Sequence, residues 1–174
     1  MTGKEFMKRV SNGEIDILQE ILNILKKTGS DYCLINGLAV NAYVEPVVSL
    51  DLDVIVAASE IEKICRAAEE KGLKVERFEH SINLTSPKSD LRVQLQTDKR
   101  YQSFISRGIF KEVLGYTMKV AAAEDVLQGK IWACLDPKRR KSKKQKDLAD
   151  IARLIETFPE MERKLPDTVR KALQ

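Results

Sequence analysis

The sequence predicts an α/β (α+β) fold, a mixed sheet flanked by helices with a helical C-terminal subdomain. Three observations predict it. Short strand-like runs fill the middle of the chain, helical periodicity fills both ends, and no internal repeat intervenes. The expected division is an α/β unit over residues 1–120 and a helical unit over 121–174.

Taken in order, residues 4–28 predict a helix in which Ile15, Leu18, Ile21, Leu22 and Leu25 recur at helical spacing, with Gly13 as a break. Tyr32–Ile35 predicts a short strand, Asn36-Gly37 a sharp turn and Leu38–Val44 a short helix stopped by Pro46. Leu50–Ala57 alternates as a strand, with Leu52, Val54 and Val56 on one face. Ser59-Glu60-Ile61-Glu62 has the form of a capping box, and Gly72 that of a C-cap. Lys74–Phe78, Ser81–Thr85 and Leu91–Gln96 predict strands, and Ile109–Leu114 with Tyr116–Val120 a hairpin about Gly115. Helices are expected over 123–135, 146–157 and 159–172.

Composition narrows the function classes. Cys33, Cys65 and Cys134 fit neither a zinc site nor a disulfide framework, so they read as small buried hydrophobes in a reducing compartment. His80 is the only histidine, which argues against Ser/His/Asp triads and zinc hydrolases; it reads as an ordinary turn residue. No run approaches the ~20 apolar residues of a membrane helix, and the early charges argue against a signal peptide, so the expected location is cytoplasmic with no membrane partner. The net charge is +4, yet Lys138, Arg139, Arg140, Lys141, Lys143, Lys144 and Lys146 fall within one nine-residue run. The remaining chain is net acidic. That run is either a solvated loop or an RNA contact that gains from counterion release.

Asp51-Leu52-Asp53 carries the chemistry. On a strand the two carboxylates share a face about 7 Å apart, a spacing that suits one or two hard cations such as Mg²⁺ or Mn²⁺, whose remaining ligands are water and substrate phosphates. The Asn36-Gly37 turn fifteen residues earlier could present backbone N–H groups to a phosphate. A phosphate cradle beside an acidic pair is what phosphoryl or nucleotidyl transfer requires. Lys130 lies within the apolar stripe of Ala123, Val126, Leu127 and Cys134, so it is either a snorkelling lysine or a phosphate ligand. Asp147 and Asp150 serve as helix-surface ion pairs, as supports for Lys130, or as groups facing substrate.

From about residue 32 to 156 the chain resembles the nucleotidyltransferase superfamily, and within it the AbiEii-like toxin branch. The matching features are the turn at Asn36-Gly37, Asp51 and Asp53, the stretch from Val93 through Tyr101 to Val120, Ala122–Lys130, and Lys146-Asp147-Leu148-Ala149-Asp150-Ile151. The resemblance implies a nucleotidyltransferase-type sheet and Mg²⁺-dependent transfer of a nucleoside monophosphate from an NTP to an acceptor such as tRNA or protein. It gives Asp51 and Asp53 the metal, Asn36 and Gly37 the phosphates, Lys130 the triphosphate charge, and Asp147 and Asp150 a place at the nucleotide. It also implies an antitoxin-like protein partner. Two departures stand out. Asn36 occupies a glycine position, and Gln94 occupies the place of a third carboxylate, which an amide cannot replace as a proton acceptor. The alternative is therefore a non-catalytic relative that binds nucleotide or RNA.

Overall fold

The computed structural model describes residues 1–174. Eight helices and seven strands alternate along it: α1 (Gly3–Val10), α2 (Ile17–Thr28), β1 (Tyr32–Ile35), α3 (Asn36–Val40), β2 (Asp51–Val56), α4 (Ile61–Glu70), β3 (Lys74–Arg77), β4 (Ser81–Ser86), β5 (Ser89–Gln96), α5 (Phe104–Arg107), β6 (Ile109–Val113), β7 (Tyr116–Val120), α6 (Ala123–Leu135), α7 (Lys141–Thr157) and α8 (Asp167–Ala172). The strands form one mixed sheet in the order β3-β4-β5-β2-β1-β7-β6. Pairing is antiparallel except for β2 with β5 and β1 with β7.

Central strand β2 is buried over five of its six residues, on both faces, whereas edge strands β3 and β6 have one buried residue between them, Val113. The difference follows from the helices. Helix α2 packs against α4 and β5, while α3, α6 and α7 pack together beside β2. One cluster of 41 buried apolar residues runs from Met7 in α1 to Val169 in α8. A stack of Tyr101, Phe104 and Trp132, with Phe104 and Trp132 nearly parallel at 5.7 Å, ties the chain after β5 to α6. Cys33 and Cys65 are buried and Cys134 is half-buried, all as free thiols; burial pushes the Cys33 thiol up to about 12.

The strands and the hairpin lie where their periodicity predicts, and the hairpin turns through Leu114 and Gly115 at φ 52° and 82°, a left-handed pair suited to a tight connection. Helix starts differ more. The first predicted helix is two, because Asn12 takes φ 47° before Gly13, and Asp16 opens α2 by accepting a hydrogen bond from the Gln19 N–H at 3.0 Å. Ser59 caps nothing: a 3-10 turn over Ala58–Glu60 leads into α4, and the box that forms is Thr2 with Glu5. The last helix is a 3-10 segment over Pro159–Lys164 followed by α8, since Pro166 cannot continue a helix. Helix α7 starts at Lys141, so four of the seven clustered basic residues lie on a helix rather than in a loop. Lysine and glutamine are good helix formers, and burial of Asp147, Asp150, Ile151 and Leu154 farther along fixes the helix on the core.

Candidate active site

The parallel pairing of β2 with β5 sets the register Asp51 to Arg92 and Asp53 to Gln94. Strand β1 on the other side ends at Ile35, paired with Asp53, and hands the chain straight to α3. The Asn36 turn therefore meets the acidic pair because β1 ends beside the start of its antiparallel neighbour β2. Asn36 adopts φ 61°, a left-handed conformation that asparagine tolerates. Gly37 leaves room for the segment entering β2: a Cβ there would lie 3.3 Å from Ser49 Oγ. The Asn41 side chain braces that segment, donating to the Val47 carbonyl at 2.7 Å and accepting from its N–H at 3.0 Å.

These elements enclose a cleft of about 250 Å³ with no hydrophobic lining residue. Asn36, Gly37, Asp51, Asp53, Gln94, Lys130 and Asp147 all reach it, as do Arg139, Arg140, Lys143 and Lys146 of the basic run. Lys138 faces an adjoining hollow of about 630 Å³ that shares Asn36, Gln94 and Arg139 with the cleft and includes Tyr101 and Trp132. Lys141 and Lys144 line neither space, and Asp150 lies behind the wall. Six basic side chains and three carboxylates line the cleft, an excess that favours an anionic ligand.

Asp53 is buried, and its carboxyl is pushed up to about 6, first by burial and then by the charge of Asp51. The neighbouring Asn36 amide, Lys130 and Arg139 act in the opposite direction. Asp51 is more open and carries two cations: Arg92 at 2.8 Å on one oxygen and Lys143 at 3.6 Å on the other. The two carboxylates are not joined by a third acid, histidine or cysteine in any grouping able to hold a metal by itself. Neither Asp90 nor Asp98 lines the cleft, and Asp98 is held by Arg100 at 2.7 Å below the usual carboxylate range. Two carboxylates still fit one Mg²⁺ that arrives with a polyphosphate, because that ion usually takes one or two protein carboxylates and completes its shell from phosphate and water.

Lys130 is embedded. Its side chain is 4% exposed, and its Nζ sits 3.0 Å from Asp147 and 2.7 Å from Asp150. Arg139 clasps Asp147 through two hydrogen bonds of 2.8 and 3.1 Å, while Arg153 joins Asp150 at 2.9 Å and also donates to the Glu45 carbonyl. This network ties α6 to α7 and the α3–β2 connection, and it forms the back of the cleft.

Arg92, Ser49 and Asn83 line the cleft without having been singled out in the sequence. Arg92 had a legible signal, since it lies two residues before Gln94 and so shares its strand face. Ser49 and Asn83 had none. The first turn of α7 holds no acidic residue and begins Lys141-Ser142-Lys143-Lys144, against the positive end of the helix dipole.

No family model and no curated protein matches the chain. Solved structures do. ANT(2")-Ia in complex with adenylyl-2"-tobramycin is 13% identical, with 90% of this chain and 94% of that chain covered and a TM-score of 0.62. The lincosamide antibiotic adenylyltransferase LnuA, bound to lincomycin, is 12% identical over 79% of this chain and 95% of that chain, with a TM-score of 0.56. An antigenic nucleotidyltransferase-like protein from Paracoccidioides brasiliensis is 18% identical over 80% and 74%, with a TM-score of 0.53. What this chain has in common with them is the nucleotidyltransferase fold.

Proposed function

We propose that the cleft binds a nucleoside triphosphate and that the protein acts in nucleotidyl transfer: an acceptor hydroxyl loses its proton and bonds to the α-phosphorus, the α–β phosphoanhydride bond breaks, and pyrophosphate leaves. One observation carries this reading: strand pairing brings Asp51 and Asp53 to the Asn36-Gly37 turn in a cleft lined by six basic side chains. Asp51 and Asp53 would hold the Mg²⁺ or Mn²⁺, which when bound supplies charge stabilisation at the phosphates. Arg139, Arg140, Lys143 and Lys146 would face the triphosphate. Lys130, fixed by Asp147 and Asp150, would lend charge from behind and position Arg139 through the shared Asp147. The adjoining hollow with Tyr101 and Trp132 is the place for the nucleoside or the acceptor. The likeness to ANT(2")-Ia and LnuA supports the fold on which this chemistry is built.

Incubation with each labelled NTP, Mg²⁺ or Mn²⁺, and total tRNA or protein tests the reading. Label should pass to one acceptor class and vanish in Asp51→Asn with Asp53→Asn. Transfer unaffected by that double substitution would refute it. A toxin role within the AbiEii-like branch would add an antitoxin-like partner, recognisable as a protein that abolishes the transfer on binding.

A second reading has its own observation. Gln94 stands in register with Asp53 and cannot draw a proton from an attacking hydroxyl. Such general-base help is typically worth ~10²–10⁴ in rate. In this reading the protein binds nucleotide or RNA and transfers slowly or not at all.

A further inference from the structure

We infer that Arg92 and Lys143 hold Asp51 in place of a divalent cation until the nucleotide is seated, so that the cleft binds the polyphosphate of its nucleotide without metal and the cation of the transfer step enters afterwards. The inference rests on the nucleotide reading above and adds to it the order and the chemistry of binding.

Strand β5 runs parallel to β2 and delivers two side chains to the acidic face, Arg92 beside Asp51 and Gln94 beside Asp53. The strand thus brings a guanidinium and an amide where an acidic site would gain a further carboxylate. Arg92 approaches Oδ1 of Asp51 at 2.8 Å, and Lys143, from the start of α7, approaches Oδ2 at 3.6 Å. Both oxygens a metal would use already face cations. A guanidinium has five N–H donors in a planar fork, and the Arg92 side chain is 60% exposed. It can keep Asp51 and still present donors to a phosphate, for which its fork geometry is suited.

The charge count supports the same direction. Lys130 and Arg139 are committed to Asp147 and Asp150. That leaves Arg92, Arg140, Lys143 and Lys146 against Asp51 and Asp53 in the cleft. The excess remains positive with no added ion, and two of those four cations stand at the start of α7, where the helix dipole disfavours them until an anion arrives.

Calorimetric titration of the full chain with each NTP, and with inorganic tripolyphosphate, in EDTA and again in Mg²⁺, tests this. The expected result is binding in EDTA within about threefold of that in Mg²⁺. Arg92→Gln should weaken binding in EDTA about tenfold or more, because it removes a charged hydrogen-bond donor and leaves Asp51 facing the phosphates. The same variant should bind Mn²⁺ alone more tightly than the wild type. Both sites are solvent-accessible, so the variants should fold, and Lys143→Gln provides a second variant on a separate element with a loss in the same direction. Binding seen only with divalent cation would overturn the inference and leave the nucleotide reading standing. Binding of no NTP and no tripolyphosphate in either condition would overturn both.

Discussion

Two charge clusters meet at the cleft, and they are built differently. Behind it, Lys130 is enclosed between Asp147 and Asp150, with Arg139 and Arg153 closing the outer oxygens; the lysine and both aspartates are almost wholly buried. In front, Asp51 pairs with Arg92 and Lys143, whose side chains are 60% and 35% exposed. The closed cluster has no place for another charge and fixes the positions of α6 and α7. The open cluster holds its ions in solvent, where each pair contributes little to stability. A ligand can therefore exchange partners in the front cluster at small cost, but not in the back one.

The sharpest contrast should appear in stability. Lys130→Met leaves Asp147 and Asp150 buried beside each other and should lower the unfolding free energy by about 3–5 kcal/mol. Arg92→Gln should change it by less than about 0.5 kcal/mol. Urea denaturation of both variants compares them directly, and equal losses would erase the distinction between the clusters.

Asp53 gives the next effect, through pH. Its carboxyl keeps a proton to about pH 6 in the folded chain, against 3.8 for an unperturbed group. Between those values Asp53 binds more proton in the folded state than in the unfolded one, so its contribution to stability should fall as pH rises from about 4 to about 6. Asp53→Asn should abolish that slope and raise stability at pH 7 by about 2 kcal/mol. Thermal unfolding of both proteins across the pH range would show it; a difference between wild type and Asp53→Asn that does not change over this window would contradict the assigned burial of charge.

Gln94→Asp restores a carboxylate beside Asp53. It should tighten Mn²⁺ binding by about tenfold and raise any nucleotide transfer, at a cost of roughly 1 kcal/mol from carboxylate repulsion. Unchanged cation affinity would mean that this strand position does not complete the site.

A smaller effect concerns RNA. Arg140, Lys141 and Lys144 can be replaced by Ser together, whereas Arg139 must stay because it clasps Asp147. If the basic run contacts RNA, each lost phosphate contact should reduce the salt slope of binding by about 1. An identical slope would make these residues a solvated helix end. Least of all, Ser59→Ala should leave stability within about 0.5 kcal/mol, since Ser59 makes no cap.

The strands, the hairpin and the acidic pair were legible because each depends on local alternation or on a left-handed turn. The cleft as a set was partly legible: Asn36, Gly37, Asp51, Asp53, Gln94, Lys130 and Asp147 all reach it. Helix starts were not. The pattern at Ser59 matches the pattern at Thr2, but only Thr2 precedes a chain direction that lets its hydroxyl meet the third N–H. The role of Arg92 depends on pairing strands some forty residues apart, and no local rule sets which strand lies beside β2.

The start of α7 has a consequence for local opening. Its lysines repel the helix end they form, and the first firm anchors, Asp147 and Asp150, come two turns in. Amide hydrogen exchange should therefore be fastest at 141–144 and slow sharply near Asp147, because local unfolding starts where few contacts oppose it. An anion settling among these side chains would tighten that turn and protect its amides. Part of the free energy of binding would then be spent in ordering the helix, so affinity would depend on how far the free chain is already wound.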